Sequence, residues 1–142
     1  MVYKKVFVDA NVLIDLFDTD RPLREFSLKT LQTLLENGAE LYTSCDLITT
    51  VYYVLRKKFG KEALVFVEKL NKMCFVISFS NEEVEMAIEL MRNNPKFGDL
   101  EDTLQYVLAK KEYCDLILSN DKEFYSPDIE VLTTKQYLER ER

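Results

Sequence analysis

The 142-residue chain contains no histidine. That absence removes Ser-His-Asp and Cys-His catalysis, the H-E-x-x-H zinc site and RNA cleavage by paired histidines. Glycine is nearly as scarce, at Gly38, Gly60 and Gly98 only, so neither a G-x-G-x-x-G nor a G-x-x-x-x-G-K-[ST] phosphate cradle can be built. The three cysteines, Cys45, Cys74 and Cys114, form no C-x-x-C pair, which excludes a zinc knuckle or a redox motif. Each sits in an apolar neighbourhood and is expected to be a small buried hydrophobe. No apolar run approaches the ~20 residues that cross a bilayer. The opening "MVYKKVFVDANV" has a basic start but is interrupted by Asp9 and Asn11 and lacks a small-residue cleavage site. A cytoplasmic protein without a signal peptide is expected.

What is present is the balance of an ordinary globule, 47% apolar and 31% charged. There is no repeat, low-complexity stretch or Pro/Gly/Ser-rich linker, and 142 residues bury roughly two-thirds of the unfolded surface, so one domain over 1–142 is expected. A net charge of −6 argues against passive, non-specific nucleic-acid binding, because backbone affinity comes from Lys and Arg. Arg56, Lys57, Lys58 and Lys61, and the pair Lys110 and Lys111, are candidates for a local basic surface. Such runs are more often solvated helix faces.

Short β-like runs alternate with helical patterns. The runs are Lys5–Val8, Glu40–Thr43, Phe75–Ser78, Leu116–Ser119 and Glu130–Leu132. Between them, Leu28, Leu31, Leu34 and Leu35 keep helical spacing up to Gly38, and "CDLITTVYYVLRKKFG" reads as a helix stopped by Gly60. "KEALVFVEKLNKM" gives another helix, Ser80 to Glu83 forms a capping box, and "LEDTLQYVLAKKE" supplies one more. Alternating strand and helix predicts an α/β domain with a mostly parallel sheet. Ligands then bind beyond the carboxyl ends of the strands, where strand order reverses.

Three acids stand out by that rule. Asp9 follows the first strand, Asp121 follows the strand Leu116–Ser119, and Asp102 lies in the first turn of the helix leading into that strand. Carboxylates brought within a few ångström repel one another unless a cation neutralises them. Hard divalent ions such as Mg²⁺ or Mn²⁺ prefer such oxygen donors and support phosphodiester hydrolysis without histidine. Each acid also has a structural reading: Asp9 as the cap of a helix over Asn11–Leu16, Asp102 completing a cap begun by Asp99, and Asp121 closing an Asx-turn.

Beyond these positions, "VFVDANVLIDLF" resembles the opening of a PIN domain, a strand followed by D-x-N-h-h-h-D, and "DLEDTLQYVLAKKEYCDLILSNDKEF" is similar to its closing half. The resemblance implies a three-layer α/β/α fold with a parallel sheet of about five strands. It further implies an Mg²⁺- or Mn²⁺-dependent ribonuclease, often dimeric, and in many members the VapC-like toxin partner of an antitoxin protein. On it, Asp9, Asp102 and Asp121 are metal-binding acids, Asn11 holds the first turn, Ser119 lies beside the site and Glu101 adds a further ligand. The toxin-like members usually carry a Glu early in the helix after strand two; here the aligned residue is Thr50, neutral but able to hold a water or a phosphate oxygen. Asp46, one turn earlier on the same face, either replaces that charge or favours the helix N-terminus after Ser44.

A haloacid-dehalogenase-type phosphatase would need D-x-D-x-T where this chain has "DANVL", and a response-regulator receiver would need an Asp where "FSNEE" follows the third run. The stronger alternative is a PIN-like module that binds RNA or protein with weakened or lost catalysis.

Overall fold

Val6, Phe7 and Val8 are fully buried in the computed structural model, which describes residues 2–141. A strand buried on both faces belongs in the middle of a parallel sheet covered by helices, and that is where this one lies. Strand β1 (Lys5–Val8) pairs with β2 (Glu40–Ser44) on one side and with β4 (Leu116–Leu118) on the other. β3 (Cys74–Ile77) adds to β2, and β5 (Glu130–Leu132) adds to β4. All four pairings are parallel and the order is β3-β2-β1-β4-β5. The ends of the expected span 1–142, Met1 and Arg142, lie outside the described residues.

The chain builds outward from β1 to β3, then returns to place β4 against β1. The strand order therefore reverses between β1 and β4. Right-handed crossovers put the helices of the outward and return journeys on opposite faces. The first group comprises α1 (Ala10–Phe17), α2 (Arg24–Glu36), α3 (Cys45–Phe59) and α4 (Ala63–Met73). They pack in a chain of contacts, α1 on α2 and α3, and α3 on α4. The return group is α5 (Asn81–Asn93) packed on α6 (Leu100–Lys111). Glu83 near the start of α5 faces Lys111 at the end of α6, 4.0 Å away, so these two helices run antiparallel.

The predicted strands stand, with shifts of a residue at some ends. β3 begins at Cys74 because Cys74 already pairs with Leu41 in the ladder, and Ser78 lies beyond its last partner. Gly60 stops α3 in a positive-φ conformation (φ 58°), which a residue with a Cβ adopts only at a cost. A 3-10 turn over Gly60–Glu62 then separates α3 from α4, where the sequence had suggested a helix from Lys61. A seventh helix, α7 (Thr134–Arg140), was not anticipated; it packs on α2, and Thr133 and Gln136 form its capping box. The cysteine expectation is corrected at one position. Cys74 and Cys114 are buried, but Cys45 is exposed, since the first turn of α3 leaves it on the outer side.

Candidate active site

β1 ends at the point where its ladder with β4 is still running: the Asp9 N–H donates to the Leu118 carbonyl at 2.9 Å. The next peptide turns into α1, so Asp9 is both the last extended residue and the N-cap of the helix. One carboxylate oxygen, Oδ1, accepts the Ala10 N–H at 2.7 Å. The other, Oδ2, accepts the Ser119 hydroxyl at 2.8 Å and the Asn11 amide at 3.3 Å. The capping reading of Asp9 is correct, then, but it does not exhaust the residue. Asp9 is only 6% exposed, and burial pushes its carboxyl above the ordinary range. The donors from Ser119 and Ala10 oppose that rise, while the charge of Asp121 adds to it.

Ser119 joins two of the acids. Its hydroxyl donates to Asp9 and accepts the Asp121 N–H at 3.1 Å, fixing the loop after β4 against the end of β1. Asp121 closes a turn as well, its Oδ1 accepting the Glu123 N–H at 2.9 Å. Asp102 comes from the other layer. Asp99 caps α6 by accepting the Asp102 N–H at 3.0 Å, which sets the first turn of the helix beside Asp9. Burial raises the Asp102 carboxyl to about 7, helped by the charges of Asp9, Asp99, Asp121 and Glu101. Glu101 is raised too, first by burial and then by Asp9, Asp46 and Asp99.

The structure thus brings Asp9, Asp102 and Asp121 together with Asn11, Thr50 and Glu101 in the lining of one cleft of about 430 Å³. Ser119 lies behind it, fully buried. Asp46 does not line this cleft; its carboxylate accepts the Ser44 hydroxyl at the start of α3, while its charge still raises the Glu101 carboxyl. Thr50 returns its hydroxyl to the Asp46 carbonyl at 3.4 Å.

Arg21, Asn120 and Gln105 carried no sequence signal, whereas Asp15 closes the D-x-N-h-h-h-D pattern. Arg21 lines the cleft and pairs with the buried Asp15 at 2.6 Å. Asp15 also accepts from Ser27 at 2.9 Å and from Asn120 at 3.0 Å. Asn120 in turn accepts the Thr134 N–H and hydroxyl, both at 3.0 Å, and gives its own N–H to Asn11 at 3.1 Å. This buried network ties α1, α2 and α7 to the loop that carries Asp121. Gln105, 1% exposed, sits one turn after Asp102, close enough to Asp9 to favour its ionised form, yet neither amide atom has a partner at normal hydrogen-bond geometry. The basic runs singled out in the sequence do not reach the cleft. Lys58 pairs with Asp18 and Asp20, Lys110 with Asp128, and Lys111 faces Glu83.

The donor set suits a hard divalent cation. It consists of carboxylate oxygens that raise one another's proton affinity, with an unpartnered buried amide behind them. Among the described residues no three Asp, Glu or Cys side chains form a ready-made cage. Mg²⁺ does not require one, since it commonly keeps several waters and takes one or two carboxylates.

A family model described as PIN domain matches residues 6–130. Over 137 residues the chain is 57% identical to Ribonuclease VapC1 of Aquifex aeolicus (strain VF5), covering 96% of this chain and 95% of that protein. FitAcB from Neisseria gonorrhoeae shares the fold at TM-score 0.69 and 18% identity, over 92% of this chain and 98% of its own. Mycobacterium tuberculosis VapC20, named a sarcin-ricin loop cleaving toxin, does so at TM-score 0.64 and 16% identity, over 87% and 92%. Among the described residues no helix is long and apolar enough to cross a membrane.

Proposed function

The chain belongs to the PIN-domain family, and on that premise we propose that it is a VapC-type ribonuclease that needs Mg²⁺ or Mn²⁺ to hydrolyse RNA phosphodiester bonds. The observation that carries this reading is the meeting of Asp9, Asp102 and Asp121, from β1, α6 and the loop after β4, at the point where the strand order reverses. The 57% identical relative, named a ribonuclease over nearly its whole length, supports the activity. One domain over 1–142 acts as the unit, and an antitoxin protein is the expected partner.

Asp9, Asp102 and Asp121 would hold the ion. When bound, it supplies Lewis acidity towards water and towards the phosphoryl oxygens. Asp9 is oriented for this by three donors, from Ala10, Asn11 and Ser119, so its carboxylate is set before substrate arrives. The Thr50 hydroxyl orients a water or a phosphate oxygen. Glu101 shares the cleft with Thr50 and adds the negative charge that Thr50 lacks; Asp46, held by Ser44 outside the cleft lining, acts on Glu101 through its charge.

Cleavage of end-labelled RNAs with Mn²⁺, Mg²⁺ or EDTA, by the wild type and by Asp9→Asn, tests the reading. Discrete cuts are expected only from the metal-supplied wild type. A PIN-like binding module without catalysis is the reading favoured by the neutral Thr50, and equal behaviour of the two proteins over a broad RNA panel would put it ahead of the catalytic one.

A further inference from the structure

A second cavity, of about 410 Å³, meets the first at the acids: Asp99, Asp102 and Asp121 line both. Its remaining lining joins Lys96, Phe97 and Tyr125 to Gly98, Thr103 and a further acid, Glu123. Phe97 is buried, and it meets the Tyr125 ring edge to face, with centroids 4.9 Å apart and planes at 82°. Tyr106 backs Phe97 at 5.4 Å, so Tyr125 stands on a packed aromatic base while staying partly exposed. The Lys96 ammonium lies over the Tyr125 ring, 5.9 Å from its centre, so a base that stacks on this face takes the ammonium's place and turns it towards the adjoining phosphate. Among the described residues no carboxylate is within ion-pair distance of Lys96, whereas Arg21, the basic residue of the other cavity, is already paired with Asp15.

An RNA strand that crosses this cleft meets acids at its centre and very little positive charge. The phosphate attraction that supplies most nucleic-acid affinity is therefore weak here. Stacking of a base on an aromatic ring does not depend on charge and is available only to an unpaired base. Taking the acids as the hydrolytic site, we propose that Tyr125 and Lys96 form a nucleotide subsite beside them. An unpaired base stacks on Tyr125, and a phosphate next to the scissile one meets Lys96.

The test uses short single-stranded RNAs carrying 2-aminopurine at successive positions, bound in Mg²⁺ to the full chain with Asp9→Asn so that no cleavage intervenes. Stacking quenches the fluorophore at one position. Adding Tyr125→Ala is expected to abolish that quench and to weaken binding about tenfold, while Tyr125→Phe preserves both and shows that the fold is intact. Lys96→Ala is expected to lower the salt slope of binding by about one phosphate contact. In cleavage by the otherwise wild-type chain, Tyr125→Ala raises KM more than it lowers kcat, and an abasic residue at the quenched position makes the two proteins equal. Quenching without cleavage would leave the subsite standing and remove the hydrolase reading. Cleavage and binding that Tyr125→Ala leaves unchanged, or a defect that persists on abasic RNA, would overturn the subsite.

Discussion

Replacing Asp102 with asparagine is expected to stabilise the metal-free protein while it removes activity. The wild-type carboxyl is raised from 3.8 to about 7 by burial and by the acids around it. Between those values the folded state holds a proton that the unfolded chain has released. The group's contribution is therefore fully favourable below the unfolded value and is lost as pH rises through the folded one. A rise of roughly three units corresponds to a ceiling of about 4 kcal/mol at 1.36 kcal/mol per unit. Asp102 is only partly buried, so solvent screening cuts that figure to about 1–2 kcal/mol. The N-terminus of α6 favours the carboxylate by ~0.3–1 kcal/mol, which keeps the net near the lower end but leaves repulsion and desolvation ahead. The variant should thus gain about 1 kcal/mol at pH 8 in EDTA, a rise in Tm of about 3–4 °C, and the gain should shrink towards pH 4. Urea unfolding at the two pH values reads it directly. If Asp102→Asn is no more stable than wild type at pH 8, or if its gain is the same at pH 4, the acids are not in the repulsive arrangement described.

Two further outcomes follow from the same geometry. Ser119→Ala removes a donor from Asp9 and an acceptor from the Asp121 N–H inside a buried site; a loss of about 1–3 kcal/mol in urea unfolding is expected, with cleavage lowered at least tenfold. Glu101→Gln should weaken Mn²⁺ binding measured by calorimetry, and Asp46→Asn should weaken it less, because Glu101 lines the cleft whereas Asp46 lies outside that lining and acts through its charge.

The parts of the structure that could be read in the sequence were those with a local signature. Val6, Phe7 and Val8 announce a buried central strand, and the carboxylate after them marks its end in the place where parallel sheets bind ligands. Asp102 and Asp121 were legible for the same reason, each lying next to a recognisable element boundary. α7 was missed because seven largely polar residues carry little periodicity, although Thr133 and Gln136 held a capping-box signal. Arg21, Gln105 and Asn120 were beyond reach. Their roles depend on distant partners, as when Asn120 joins Asp15, Asn11 and Thr134, and no spacing in the chain encodes that meeting. The sequence placed Thr50 at the aligned position but left the role of Asp46, one turn earlier, open; in the structure Thr50 lines the cleft and Asp46 accepts the Ser44 hydroxyl.

The most direct test of the central claim is Mn²⁺ affinity, measured by the paramagnetic resonance of the free ion, for the wild type and for Asp9→Asn, Asp102→Asn and Asp121→Asn. If the three acids act as one site, each single substitution weakens binding at least tenfold, although the residues come from three separate elements. Affinity equal to wild type in any two of the variants would contradict the account and leave those acids with caps and turns as their only role.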